Sequence, residues 1–296
     1  MRKNGVKWML LSLVERTTKV FFRDKMLVFF SFLSVFISII LFIAFLEQQQ
    51  IRSLGNVVNE VPGIKLLVSE WMIAGILAMT AMTSTLAVFA IFISDKESKR
   101  TADFLTTTGS RASILLSYLI SAVIIGFMLT MLGYAVCTGY LMFLGADFPN
   151  VIQILKVTAV IAIGIILSAM INLLLVLLAK TAKAFSTMNS LVGTLIGFLC
   201  AVYIPIGVLP NAMQLFIEAF PVSHIATMLR QLLMENSLRT VFADAPVEMV
   251  EYKLFYGVVY EMGGTTLTVL HSILYIFVAI VLLGGLAVGL FRTQNK

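Results

Sequence analysis

Six apolar runs decide what this chain can fold into before any motif is read. Met26–Leu46, Trp71–Ser94, Ala112–Leu144, Val151–Ala179, Phe185–Leu209 and Leu270–Phe291 are each long enough to cross the ~30 Å hydrocarbon core of a bilayer, which takes about 20 predominantly apolar residues. A backbone in lipid must satisfy its own hydrogen bonds, so the runs are expected as helices. Composition agrees, with 60% hydrophobic and 12% charged residues where soluble chains carry roughly 45–50% and about 25%. A free soluble enzyme, a disulfide-stapled secreted module and a nucleic-acid-binding domain are excluded. The expected fold class is an all-α polytopic membrane protein. It has an N-terminal interfacial helix over residues 1–25, and a six-span domain over 26–296 with outer-leaflet re-entrant helices before the last span. The third run exceeds a straight crossing, so it is expected to tilt, to project past the bilayer, or to bend near Gly126, Gly133 or Gly139.

Six spans place both termini on one side. With the termini in the cytoplasm, only Arg52, Lys65, Lys156, Arg230, Arg239 and Lys253 of the 21 lysines and arginines lie outside, as the positive-inside rule requires. The chain is thus expected in a plasma membrane, multi-pass, of bacterial origin. Over Val6–Lys25 the residues Met9, Leu10, Leu13, Val14, Thr17 and Phe21 recur at helical spacing among basic residues. That pattern fits a helix lying among anionic headgroups, or a simple basic flank that fixes topology. Two outer linkers are long: Glu47–Glu70, with a turn signal at Pro62–Gly63, and the segment 210–268. The second opens with two apolar halves separated by Pro221, each too short to cross, which reads as a re-entrant helical hairpin.

The chemistry of the spans is sparse. Their ionisable side chains are Lys156 and His271, both near an interface, whereas a proton relay or ion path normally places such groups at mid-depth. His224 and His271 stand without an HExxH or cysteine partner, and Cys137 and Cys200 sit in apolar runs as buried thiols rather than a redox pair or metal site. No GxxxxGK[ST] phosphate cradle occurs. No catalytic, cofactor-binding or metal residue is expected, so any uphill transport draws its energy from a partner.

The segment between the second and third spans is Asp95-Lys96-Glu97-Ser98-Lys99-Arg100-Thr101-Ala102-Asp103-Phe104-Leu105-Thr106-Thr107-Thr108-Gly109-Ser110-Arg111. Asp95 with Lys99 and Lys99 with Asp103 are i,i+4 pairs suited to a short surface helix. Phe104 and Leu105 gain nothing in a solvated loop and call for a partner surface. The order of elements resembles the permease subunits of ABC-2 type exporters over nearly the whole chain. The resemblance implies that residues 95–111 are a coupling helix docking on a separate nucleotide-binding subunit. Glu97, Thr101, Asp103, Leu105 and Arg111 match the family pattern, Lys99 and Phe104 lie among them, Arg100 stands where glycine is usual, and Gly109 where proline is. ATP and magnesium would be bound by that ATPase, and this chain would carry no cofactor and contact no nucleic acid.

The stretch Pro205-Ile206-Gly207-Val208-Leu209-Pro210 and then Phe220-Pro221-Val222-Ser223-His224 is similar to the family's segment after span five. By that similarity Pro210, Glu218, Pro221, His224 and Arg230 would border the exit at a membrane-exposed lip, with Arg230 paired to Glu218 or Glu235. The family's dimer contacts through spans one and five make Gly193 and Gly197, a small-residue repeat, candidates for packing against a second permease subunit, identical or homologous. The implied function is the membrane subunit of an ATP-driven exporter of an amphiphilic or hydrophobic substrate. A stand-alone secondary transporter or flippase, and a non-transporting sensor using residues 236–268, remain the alternatives.

Overall fold

The computed structural model describes residues 2–58, 63–100, 104, 110–179, 181–262 and 265–294. Helix α1 (Arg2–Arg23) is separated from α2 (Lys25–Leu41) by Asp24 alone, whose carboxylate accepts a hydrogen bond from the Leu27 amide and so satisfies a free donor of the first turn. A π turn, Phe42–Leu46, carries α2 into α3 (Glu47–Val58) without a break. Gly63, at φ 101°, starts α4 (Ile64–Glu97). The expected linker Glu47–Glu70 is therefore largely α3 and the first turns of α4. Burial of Ile64, Leu67 and Val68 extends the helix beyond the run seen in the sequence.

Ser110, Asn150 and Thr181 cap α5 (Arg111–Phe143), α6 (Val151–Leu178) and α7 (Ala182–Leu199). A 3-10 turn at Ile206–Val208 precedes α8 (Asn211–Glu218) and α9 (Pro221–Leu233), which meet at 85°. Pro221 is the first residue of α9, where the missing amide is harmless. Short helices α10 (Glu235–Val241) and α11 (Pro246–Phe255), a hairpin of β1 (Glu261–Met262) and β2 (Thr265–Thr266), and the long α12 (Val269–Gln294) complete the chain. Among the described residues five helices are long and apolar enough to cross a membrane, six if the bent α8–α9 pair is counted. The protein is an all-α, multi-pass membrane protein.

The expected fifth span over Phe185–Leu209 is corrected: α7 ends at Leu199. Its eighteen residues rise about 27 Å, and Ser186, Thr187, Asn189, Ser190 and Thr194 dilute its apolar character. α5 runs through its glycines as one helix; a Cβ on Gly126 would lie 2.7 Å from Thr85 Cγ2, which shows the glycine serving close approach to α4.

α4 is the axis of the bundle: its most apolar stretch is 78% buried, against 13% for that of the continuous helix Lys25–Arg52 and 11% for that of α12. Around it the core forms two blocks. One holds the second half of α4, the first half of α5, the end of α6, Phe185, and Leu13 and Phe21 of α1. The other, at the far end, holds the first half of α4, Tyr134 to Leu141 of α5, Val157 to Leu167 of α6, and residues of α9 to α11. Between them lies a seam of buried Ser84, Thr85, Thr130, Ser168 and Asn172. Asn172 Nδ2 donates to Met82 O at 2.9 Å and to Thr85 Oγ1 at 2.8 Å. Cys137 and Cys200 are free and buried.

Candidate functional site

The site at the α1 end is organised by Asp95, a residue from the last turn of α4 that is 1% exposed. A carboxylate so buried must be compensated. Arg16 of α1 supplies a two-pronged pair, Nη1 to Oδ2 at 2.7 Å and Nη2 to Oδ1 at 3.0 Å, the geometry that makes arginine the strong partner of a carboxylate. Tyr118 of α5 donates to Oδ2 at 2.6 Å, and Arg100 reaches Oδ1 at 3.3 Å. The hydrogen bond from Arg16 to Asp95 raises the arginine's pKa above its ordinary value. The Arg16 guanidinium also lies 5.1 Å from the centroid of the Phe104 ring, a cation–π contact.

α1 reaches this clamp because Leu13, Val14, Thr17 and Phe21 are buried along one face, at the spacing that puts three- and four-apart residues on one stripe. Trp8 and Leu11 stay exposed. The clamp thus fastens α1, the end of α4, the start of the 95–111 segment, Phe104 and α5 to one another.

Several expected contacts are replaced. Asp95 does not pair with Lys99, because the helix stops at Glu97 and Lys99 turns to φ 60°. Phe104 finds a partner within the chain, in Arg16. Glu97 Oε1 accepts from the Ala182 amide at 2.9 Å, so it satisfies a free donor at the start of α7. Arg111 opens α5. Thr101, Asp103 and Leu105 lie outside the described residues. Sequence reasoning missed the roles of Arg16 and Tyr118. The separation of 79 positions between Arg16 and Asp95 leaves no local pattern to reveal the pair.

At the far end, Arg230 and His224 do not form an exposed lip. Arg230 is 0% exposed, and it pairs with neither Glu218 nor Glu235; Glu235 bonds Arg239 at 2.7 Å. The Arg230 Nη2 donates to the carbonyls of Cys200 at 2.6 Å and Ala201 at 2.9 Å, and Nη1 to that of Gly257 at 3.2 Å. These carbonyls belong to two helix ends of the same construction. After α7, Val202 N bonds Gly197 O and Ala201 N bonds Phe198 O; after α11, Val258 N bonds Lys253 O and Gly257 N bonds Leu254 O. Both are Schellman caps, with Ala201 at φ 47° and Gly257 at φ 63° in the left-handed position. Arg230 therefore sits between two helix C-termini, whose unpaired carbonyls carry partial negative charge. Its guanidinium also lies 5.3 Å from the Trp71 ring centroid. The apolar run stops being helical at residue 199 because its end is capped and gripped there.

His224 is 3% exposed. Its Nε2 lies 2.8 Å from Glu218 O, and since a carbonyl only accepts, Nε2 carries the proton and Nδ1 accepts from Ser272 Oγ at 3.3 Å. Tyr275 packs against the ring and donates to Ala219 O at 2.5 Å. His224 thus fixes the α8–α9 corner to α12, with Pro210 ahead of α8 and the Glu218 side chain half-buried. Gly197 is likewise an internal contact: a Cβ there would lie 2.3 Å from the Tyr203 ring, whereas Gly193 has open space around it.

The two clusters make and break no covalent bond; they hold helices to helices. A family model described as "ABC-2 type transporter" matches residues 9–234, a stretch that contains the Asp95 clamp and the bent α8–α9 pair and stops before α10. No curated protein matches the chain.

Proposed function

The chain belongs to the ABC-2 type transporter family, and on that premise we propose that it is the membrane subunit of an ATP-driven exporter, worked by a separate ATPase that docks at residues 95–111. It is a permease component of an ABC transporter; the docking segment, the direction and the cargo, an amphiphilic or hydrophobic substrate, are the parts proposed. The α1 end is placed in the cytoplasm, where most lysines and arginines then lie. ATP and magnesium belong to the ATPase.

The observation that carries this reading is the Asp95 clamp. A docking loop transmits force only if it is fixed to the spans it must move. Here the root of the loop is bonded to α1 and α5 through Arg16 and Tyr118, and to the start of α7 through Glu97. A push on the loop is passed to three helices besides α4 at once. The direct test is reconstitution with the cognate ATPase in proteoliposomes. Flux that requires ATP and is lost when residues 99–109 are replaced by a Gly/Ser linker supports the reading. Flux that persists without the ATPase overturns it.

A second permease copy is proposed to cover α7. That helix exposes Ser186, Asn189, Ser190, Gly193 and Thr194, a polar and small-residue face that gains nothing from lipid but suits close helix contact. Gly193→Leu is expected to disperse the dimer while leaving the protomer folded, since nothing lies within 4 Å of a Cβ there. Gly197→Leu collides with Tyr203 and is expected to destabilise the protomer itself. Cross-linking through single cysteines, with a thermal melt alongside, separates the two outcomes. An unaltered dimer in Gly193→Leu would count against this face.

A further inference from the structure

The far end of the bundle holds a cavity of about 380 Å³ that neither the Asp95 clamp nor the Arg230 grip occupies. Its wall includes Glu70 from the start of α4, Tyr134 and Thr138 from the end of α5, Asp147 from the α5–α6 turn and Ser237 from α10. The charged side chains that line it, Glu70 and Asp147, are both acidic, and the described wall has no lysine, arginine or histidine.

Glu70 is the informative member. It is only 6% exposed. Ser237 lines the wall with it, and Oε2 has no hydrogen-bond partner among the described residues. A buried carboxyl oxygen without a partner is costly, and a leucine would have avoided the cost. Tyr134, also 6% exposed, brings a buried hydroxyl to the same space.

We propose that this cavity binds a primary ammonium group, with Glu70 as its counter-ion and Asp147 at the rim. Its size suits a small organic molecule, for which pockets run from about 300 to 1,000 Å³. A divalent cation fits the wall poorly: it requires several oxygen ligands, and among the described residues no three His, Cys, Asp or Glu side chains gather. An ammonium carries three donors and no acceptor, which matches a wall of carboxyl and hydroxyl oxygens. The group can arrive on a free amine or on an aminolipid headgroup. The inference stands on the wall chemistry and does not depend on how the transporter is driven.

The test is calorimetric titration of butylammonium into the full chain held in phosphatidylcholine nanodiscs. Saturable heat is expected, with none for uncharged 1-pentanol. Glu70→Gln keeps the side-chain size, and is expected to weaken binding by about tenfold or more, the worth of one charge-assisted hydrogen bond. Asp147→Asn, at an exposed position, is expected to weaken it severalfold and serves if Glu70→Gln does not fold. Repeating the titration in phosphatidylethanolamine nanodiscs distinguishes the sources: competition marks the headgroup as occupant, and unchanged affinity marks the free amine. No saturable heat in the wild-type chain, or equal affinity in wild type and both variants, overturns the proposal.

Discussion

Arg230→Met is expected to open the far end of the bundle and to lower the stability of the protomer by about 3–5 kcal/mol, the range in which losses from a broken buried network fall. The substitution leaves the carbonyls of Cys200 and Ala201 without the donor they now share. Each orphaned group costs about 1–3 kcal/mol, and release of the buried charge offsets part of the sum. Arg230→Lys is not conservative here. One ammonium replaces a planar fork that bridges the ends of two helices, and lysine lacks that reach in two directions. The expected order of thermal midpoints in detergent is wild type, then lysine, then methionine. A cysteine placed at Leu199 should label faster in the same order. A methionine variant with the wild-type midpoint would remove the grip from the account of why α7 ends where it does.

The second large effect concerns coupling rather than folding. Asp95→Leu leaves Arg16 and Arg100 facing each other without their shared carboxylate, and breaking a buried pair from one side is costlier than removing both partners. The single variant is expected to melt at a lower temperature. The double variant Arg16→Leu with Asp95→Leu should regain much of that loss. ATP-driven flux should not return with it: a drop of about tenfold or more is expected in both, because the double variant restores packing but not the bond between α1 and α4. Measuring the melt and the flux on the same preparations separates the two roles. Flux restored with the melt would make the clamp a structural fastening only. Arg16 and Asp95 form one arm of a double-mutant cycle, and a coupling of about 1.5–3 kcal/mol is expected for a charge-assisted pair.

The sequence revealed what depends on composition along the chain. Apolar run length located α2, α4, α5, α6 and α12, and the proline between two short apolar halves located the bend between α8 and α9. Helix ends were harder, because they depend on partners distant in sequence. Leu199 is followed by residues as apolar as those before it, and only the grip of Arg230 shows why the helix stops. Likewise residues 47–58, read as the start of a linker, are helical, since a π turn lets α2 continue into α3. Charge was misassigned for the same reason. Asp95 has basic neighbours four and five residues on, and the local rule selects Lys99, but the bonds go to Arg16 and Arg100. A search of the spans for ionisable groups also passed over Asn172, whose amide joins α6 to α4.

The hydroxyl seam has a mechanical consequence. In it Ser84 and Thr85, and on either side of it Thr80, Thr83, Ser117 and Ser121, bond carbonyls three or four residues back on their own helices. Such bonds are indifferent to where the neighbouring helix lies. Among the described residues, the side-chain bonds that join neighbouring helices in this layer come from Asn172. Sideways sliding of α6 against α4 is therefore resisted by one amide in this layer, while the oily contacts above and below it carry the rest of the grip.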